Sequence, residues 1–245
     1  MGLKENERID DLEYKGLKII QDKEGFCFGI DSVLLSDFAK NIKRNTRVID
    51  LGTGTGIINL LLSAKTEANE FIGVEIQNDV ADMAKRSVEL NDLNNKIKII
   101  NENIINLKNI YDKKSFDVIV TNPPYKKNNT GIKNVENKKQ ISRHEITASL
   151  EDFIHIGSYL LKDYGEFYMV HRPERLVDIF NIMRKEKIEP KLIRFVYPKQ
   201  GKKANMVLIK GVKLGNSFLD FSDNLYVYDN DGNYTEDILK IYNKI

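Results

Sequence analysis

The 245-residue chain is predicted to be α/β, a doubly wound sheet that is mostly parallel and closes with an antiparallel C-terminal hairpin. Three observations carry that prediction. Short β-prone runs alternate with runs whose apolar residues recur at helical period, the order expected of a parallel sheet covered on both faces. A glycine-rich turn, Gly52-Thr53-Gly54-Thr55-Gly56, joins one of these strands to its helix. Neither a repeat nor a linker-like stretch breaks the alternation, so residues 1–245 are expected to form a single domain, with 1–46 as a hairpin and helix extension and 212–245 as an acidic C-terminal extension.

Taken in order, Ile9 to Phe28 alternates weakly and carries Gly16 and Gly25, which suits a short hairpin. Asp31-Ser32 then offers a side-chain cap to a short helix over Val33 to Ala39. Ahead of that helix, Phe26 and Phe28 read as core packing and Cys27 as a small buried hydrophobe. Arg47 to Leu51 is an apolar strand, and Ile57 to Ser63 is the helix beyond the glycine turn. Glu70 to Glu75 is the next strand and ends on an acid. Gln77 to Asn91 is helical by period, with Val80, Ala84 and Val88 on one side, and Ile97 to Ile100 is a strand leading to Asn101-Glu102-Asn103. Ser115 to Val120 is β-prone, and Lys126 to Gln140, rich in Lys and Asn, reads as a mobile surface loop. Leu150 to Leu161 is an amphipathic helix, Gly165 to Val170 a strand, and Pro173 to Lys185 a helix with proline in its first turn. Lys191 to Tyr197 and Asn205 to Lys210 are the closing hairpin.

Composition narrows the function classes. At 41% hydrophobic and 30% charged the chain is ordinary for a folded protein, and a single cysteine excludes an intrachain disulfide and points to a reducing, cytoplasmic setting. No stretch approaches the ~20 apolar residues of a membrane span. His144, His155 and His171 lack ligand spacing, so no metal is expected, and a monomer is favoured. The net charge of +2 conceals an uneven distribution. Between residues 181 and 213, Arg184, Lys185, Lys187, Lys191, Arg194, Lys199, Lys202, Lys203, Lys210 and Lys213 oppose only Glu186 and Glu189, a segment charge of +8, whereas residues 214–245 carry −4. Such a basic segment fits RNA phosphates, with a merely solvated face as the alternative.

Two motifs carry chemistry. Strand, glycine turn and helix form a nucleotide-binding unit, because glycine lets the backbone approach a ligand and the helix N-terminus presents unpaired N–H groups. Glu75 lies near the ~20 residues downstream where a carboxylate takes ribose hydroxyls. The G-x-G-x-G spacing after Asp50 favours S-adenosyl-L-methionine over a dinucleotide, since a sulfonium cofactor has no pyrophosphate to cradle and Asp50 can meet its charged amino-acid end. The second motif is Asn122-Pro123-Pro124-Tyr125. Consecutive prolines end the strand there. An aromatic face, a carboxamide and carbonyls without competing N–H groups then stand together, a device for holding a planar amine and aiming its nitrogen at an electrophile.

Together these residues resemble a class I S-adenosylmethionine-dependent amino-methyltransferase with a Rossmann-like sheet. More narrowly, the chain is similar to the bacterial tRNA1(Val) adenine-37 N6-methyltransferase family, on Phe26-Cys-Phe-Gly-Ile-Asp31, Arg143-His144-Glu145, His171-Arg172-Pro173-Glu174-Arg175-Leu176, Arg194-Phe195-Val196-Tyr197-Pro198 and Lys203-Ala204-Asn205. The resemblance implies catalysis by Asn122, Pro123 and Tyr125. It implies cofactor contacts from Asp50, Gly52, Thr53, Gly54, Gly56, Glu75, Ile76, Asn103, Ile104 and Asn122. tRNA is the implied partner, with Lys126, Lys127, Arg143, His144, Arg172, Lys199, Lys202 and Lys203 as candidate contacts. Asn103 departs from the aspartate usual at that position, and its Oδ1 is expected to accept from the cofactor adenine instead. Two other readings stand beside this one: methylation of a release-factor glutamine amide, which uses the same Asn-Pro-Pro-Tyr device, and a nucleotide-binding module without catalysis.

Overall fold

Strand periodicity divides the core into two halves. Along Arg47 to Leu51, Val48 points into one buried cluster and Ile49 and Leu51 into another; Val118 and Val120 oppose Ile119, and Tyr168 and Val170 oppose Phe167 and Met169, in the same way. The two clusters are the two faces of one central sheet. The structure, a computed structural model, describes residues 2–24, 29–125 and 148–245. The packing read for Phe26, Cys27 and Phe28, the Lys126 to Gln140 loop, the Arg143-His144-Glu145 motif, and the candidates Lys126, Lys127, Arg143 and His144 lie outside the described residues.

An antiparallel hairpin of Glu7–Asp11 (β1) and Lys18–Asp22 (β2) comes first, followed by helix Ile30–Phe38 (α1). Then come Arg47–Leu51 (β3), Ile57–Lys65 (α2), Glu70–Glu75 (β4), Asn78–Leu90 (α3), Ile97–Asn101 (β5), a 3-10 turn at Ile104–Asn109, and Phe116–Thr121 (β6). After the undescribed segment the chain continues as Leu150–Leu160 (α4), Leu161–His171 (β7), a 3-10 turn at Pro173–Arg175, Leu176–Lys185 (α5), Ile188–Tyr197 (β8) and Met206–Lys213 (β9). Short strands Asp220–Phe221 (β10) and Leu225–Tyr226 (β11) and helix Glu236–Ile241 (α6) end it.

The sheet order is β10-β8-β9-β7-β6-β3-β4-β5, with β11 also on the outer edge of β8. β5, β4, β3, β6 and β7 run parallel, and β9 is inserted antiparallel between β7 and β8. α1, α2, α3 and α6 feed one apolar cluster; α4, α5 and the first 3-10 turn feed the other. Between β3 and β6 the winding reverses, so the loops leaving the carboxyl ends of these strands diverge and open a crevice. Both chemical motifs leave from those ends.

The hairpin leans on α3. Ile20 N donates to Ser87 Oγ at 2.9 Å, and Arg86 closes on Glu7 and reaches Asp82 at 2.9 Å. One boundary differs materially from expectation. β7 starts at Leu161 rather than Gly165, directly out of α4, because Leu161 pairs with Phe116 and a bulge then carries the register to Glu166 opposite Val118. The polar run Lys162-Asp163-Tyr164 conceals this strand start; Lys162 donates to Asp117 at 2.7 Å and Tyr164 takes a positive φ. Beyond β9, the acidic extension runs along β8 and docks α6 onto α1 and α2, where Lys65 Nζ donates to Ile241 O at 3.1 Å. It therefore covers an otherwise open strand edge. Among the described residues, no helix is long and apolar enough to cross a membrane.

Candidate active site

The glycine turn is held open by backbone geometry and by one carboxylate. Gly52, Gly54 and Gly56 all have positive φ, and among the described residues a Cβ on Gly54 meets nothing within 4 Å, so this backbone faces open space between them. Gly52 and Thr53 both donate their N–H to Val74 O at 2.9 Å, which locks the turn onto β4. At the end of β4, Glu75 Oε2 accepts from Gly54 N at 3.0 Å and Oε1 from Gln77 N at 2.9 Å. Glu75 is buried, and burial pushes its carboxyl above the usual range against the pull of the Gln77 and Gly54 amides.

Asp50, on the α2 side of β3, is fully buried, and neither carboxylate oxygen has a hydrogen-bond partner among the described residues. Burial pushes it up to about 7, the nearby Thr53 side chain opposing and Glu75 reinforcing the rise. An orphaned carboxylate beneath a bare glycine turn, with a second acid beside it, is an arrangement completed by a cation that also carries hydroxyl donors. These residues fit an amino-acid ammonium at Asp50 and a ribose at Glu75, whose oxygens each retain accepting capacity. Asn103 Oδ1 already accepts from Ile105 N at 3.1 Å, capping the 3-10 turn, so only its remaining lone pair is open to an adenine amine.

The turn forms one wall of a cavity of about 740 Å³ that Ile76, Asn103, Ile104 and Phe153 also line. Its opposite wall is Asn122 to Tyr125, the start of α1, Arg172 and Asn205. Thr121 Oγ1 donates to Leu51 O at 2.9 Å and ties the end of β6 to the end of β3. Asn122 Nδ2 then donates to Asp31 Oδ2 at 3.0 Å and to Ser32 Oγ at 3.3 Å. The Tyr125 hydroxyl lies 2.8 Å from Asn122 Oδ1 and 3.0 Å from Asp31 Oδ2. Burial, then the Asp31 charge, drives the Tyr125 pKa far up, so it stays a neutral phenol. Its ring meets His171 edge-on at 5.0 Å and the Arg172 guanidinium at 5.1 Å. Burial holds His171 down at about 4, with its Nδ1 accepting from Arg172 N, so it is a neutral packing partner.

Most predicted positions therefore meet in one crevice: Gly52, Thr53, Gly54, Glu75, Ile76, Asn103 and Ile104 on the turn side, Asn122, Pro123, Tyr125 and Arg172 on the other. Asp50, fully buried, and Gly56 do not line the cavity. Lys199, Lys202 and Lys203 are exposed in the turn that leads to Asn205 at the cavity wall. The rest of the basic run does not form a single face. Arg184 pairs with Glu189 at 2.6 Å, Lys185 with Glu151 at 2.8 Å and Lys210 with Glu166 at 2.6 Å, while Lys213 donates to the carbonyls ending α4, at the opposite end of the sheet. Contiguity in sequence became two poles because β8 and β9 carry the residues from one end of the sheet to the other and back.

Asp31 was read as a helix cap, and the structure corrects this. α1 begins at Ile30 with Gly29 at the cap position, and Asp31 instead spans to Asn122 and Tyr125. Ser32 is expected from sequence only as part of that cap and Asn205 only within a family-resembling motif, and neither is assigned a place in the site, where the structure puts both. Asp-Ser ahead of a helix has a sufficient local explanation, which is why the long-range role leaves no sequence signal.

The chain matches the model of the methyltransferase small domain over residues 29–186. It is 34% identical over 158 residues to the tRNA1(Val) (adenine(37)-N6)-methyltransferase of Histophilus somni, an alignment covering 64% of this chain and 65% of that protein. To the enzyme of the same name from Parabacteroides distasonis it is 29% identical over 189 residues, 76% of each chain. Among solved structures it is similar to a predicted O-methyltransferase of Agrobacterium tumefaciens, with a TM-score of 0.70 at 20% identity over 87% of this chain and 95% of that one.

Proposed function

We propose that this chain, which belongs to the methyltransferase small domain family, is an S-adenosylmethionine-dependent enzyme that methylates the exocyclic N6 of an adenine in tRNA, with adenine 37 of a valine tRNA as the acceptor that its relatives' name indicates. One observation carries the reading: the Asn122 carboxamide has its NH2 tied to Asp31 and Ser32, so that its oxygen is the atom left to meet an amine in the crevice. When bound, S-adenosylmethionine supplies an electrophilic methyl group. Asp50 and Glu75 would hold it by its ammonium and its ribose, and the glycine turn leaves space for it.

The remaining chemistry belongs to the chain. The adenine amine is a poor nucleophile because its lone pair is delocalised into the ring. Accepting both N–H bonds, at Asn122 Oδ1 and at the Pro123 carbonyl, draws that lone pair out of conjugation and fixes its direction. Tyr125 supplies the aromatic face that a splayed-out base needs, worth ~1 to 3 kcal/mol per base. No strong base is required, since the proton leaves after the nitrogen has become cationic. The buried His171, held neutral behind Tyr125, is not in a position to serve as one. Positioning supplies most of the rate, for which ~7 to 11 kcal/mol is available in well-oriented systems.

The test uses purified protein, labelled S-adenosylmethionine and unmodified tRNA, followed by nucleoside identification. N6-methyladenosine is expected. Asn122→Ala should lower the single-turnover rate by about 100-fold or more while cofactor affinity holds within about twofold. Label on a release-factor glutamine with unmodified tRNA left untouched would overturn the reading.

A further inference from the structure

We infer that Asp31 is a positioning residue of the reaction, whose carboxylate dictates which end of the Asn122 carboxamide faces the acceptor amine. The inference deepens the function proposed above and rests on it. A carboxamide can turn either its oxygen or its NH2 into the crevice, and only the oxygen can accept an N–H. An ionised carboxylate accepts and cannot donate, so with Asp31 Oδ2 at 3.0 Å the flipped amide would set oxygen against oxygen. The orientation is thereby fixed by charge rather than by shape.

The carboxylate is itself fixed. Its Oδ1 accepts from Ser32 N at 2.9 Å, leaving Oδ2 to face both Asn122 and Tyr125. Gly29 keeps the space clear, since a Cβ there would lie 2.7 Å from Asp31 Oδ1. α1 anchors the group through Val33, Leu34 and Leu35, all buried in the core on that face of the sheet. The Tyr125 hydroxyl sits within hydrogen-bond reach of Asp31 Oδ2 and Asn122 Oδ1 with one proton for the two. Whichever it serves, Asn122 Oδ1 keeps a lone pair for the amine, and Asp31 provides the alternative acceptor when the amine arrives.

Asp31→Asn is nearly isosteric but offers an NH2 that can bond Asn122 Oδ1 and so permits the flipped amide. Its single-turnover rate at saturating tRNA should fall about 10- to 100-fold, with KM, cofactor affinity and Tm near wild type. Asn122→Asp should set two carboxylates face to face, giving an enzyme that is poor at alkaline pH and improves as one of them protonates. Asp31→Asn combined with Asn122→Asp restores a donor facing an acceptor with the roles exchanged. The double variant should exceed Asn122→Asp by about 10-fold at alkaline pH and lose the acid dependence. A wild-type rate in Asp31→Asn, or a double variant no better than Asn122→Asp, overturns the inference. If the wild-type protein leaves tRNA unmethylated, the proposed function fails separately. The inference is then decided by the Asn122 side-chain NH2 resonances, which should shift and exchange faster in Asp31→Ala, and which stay unchanged if Asp31 has no positioning role.

Discussion

At the scale of single residues, Asp50 is a carboxyl whose ionisation the fold disfavours. It is pushed up to about 7 by burial, with neither oxygen in a hydrogen bond among the described residues. Because the folded pKa lies above the unfolded one, the ligand-free protein should lose stability as pH rises from about 4 to about 7, where the unfolded chain has already released the proton. A ligand ammonium at Asp50, as the proposed function has it, would reverse the preference and draw the carboxyl down. Cofactor binding should therefore release a proton near neutrality, and affinity should rise from about pH 6 to about pH 8 and then level off. Calorimetry in buffers of different ionisation enthalpy checks this, and Asp50→Asn should bind more weakly with no pH dependence. The residues that sequence made legible here are those whose chemistry constrains backbone. Glycine at positive φ in the turn and two prolines after β6 announce geometry by themselves. Asp31 was hidden because its partners lie 91 and 94 positions away.

At the scale of elements, α4 shows how a cap far from the chemistry serves the site. Ser149 accepts from Asp152 N at 3.2 Å while Ser149 N donates to Asp152 Oδ2 at 2.8 Å, a reciprocal capping box. The helix it starts carries Phe153, whose ring would lie 3.3 Å from a Cβ on Gly52. Loosening the first turn of α4 thus loosens the floor beneath the glycine turn. Ser149→Ala should lower stability by about 1 kcal/mol, a Tm drop of about 2 to 4 °C in a chain of this size, read by thermal melting. Elements with clean periodicity, such as α3 and β6, were legible to within a residue or two. β7 was not, because a sheet bulge absorbs the three residues Lys162, Asp163 and Tyr164 that sequence leaves between a helix and a strand. Nor was the pairing of β10 and β11 with β8, since two-residue strands have no period to read.

For the whole molecule, the division of the basic run between two ends of the sheet makes a discriminating prediction. If tRNA lies across the crevice, log affinity should fall with log salt by ~0.7 to 0.9 per phosphate contacted. Neutralising Lys199, Lys202 and Lys203 should flatten that slope by ~2 to 3. Neutralising Lys185 and Lys187, at the far end, should leave it unchanged. Filter binding across a salt series separates the two, and equal effects from both sets would mean the RNA does not choose the crevice end. The architecture also bears on how the chain comes off the ribosome. β9 sits between β7 and β8, so β7 has an open flank and β8 no place in the sheet until residues 206–213 have emerged. That interval, roughly 40 residues after β7, amounts to about 2 to 8 s of synthesis. During those seconds His171 and Arg172 are already made, yet the wall that they and Asn205 build against Tyr125 cannot close. That wall of the crevice is thus a late product of translation, finished only after the glycine turn has long been able to form.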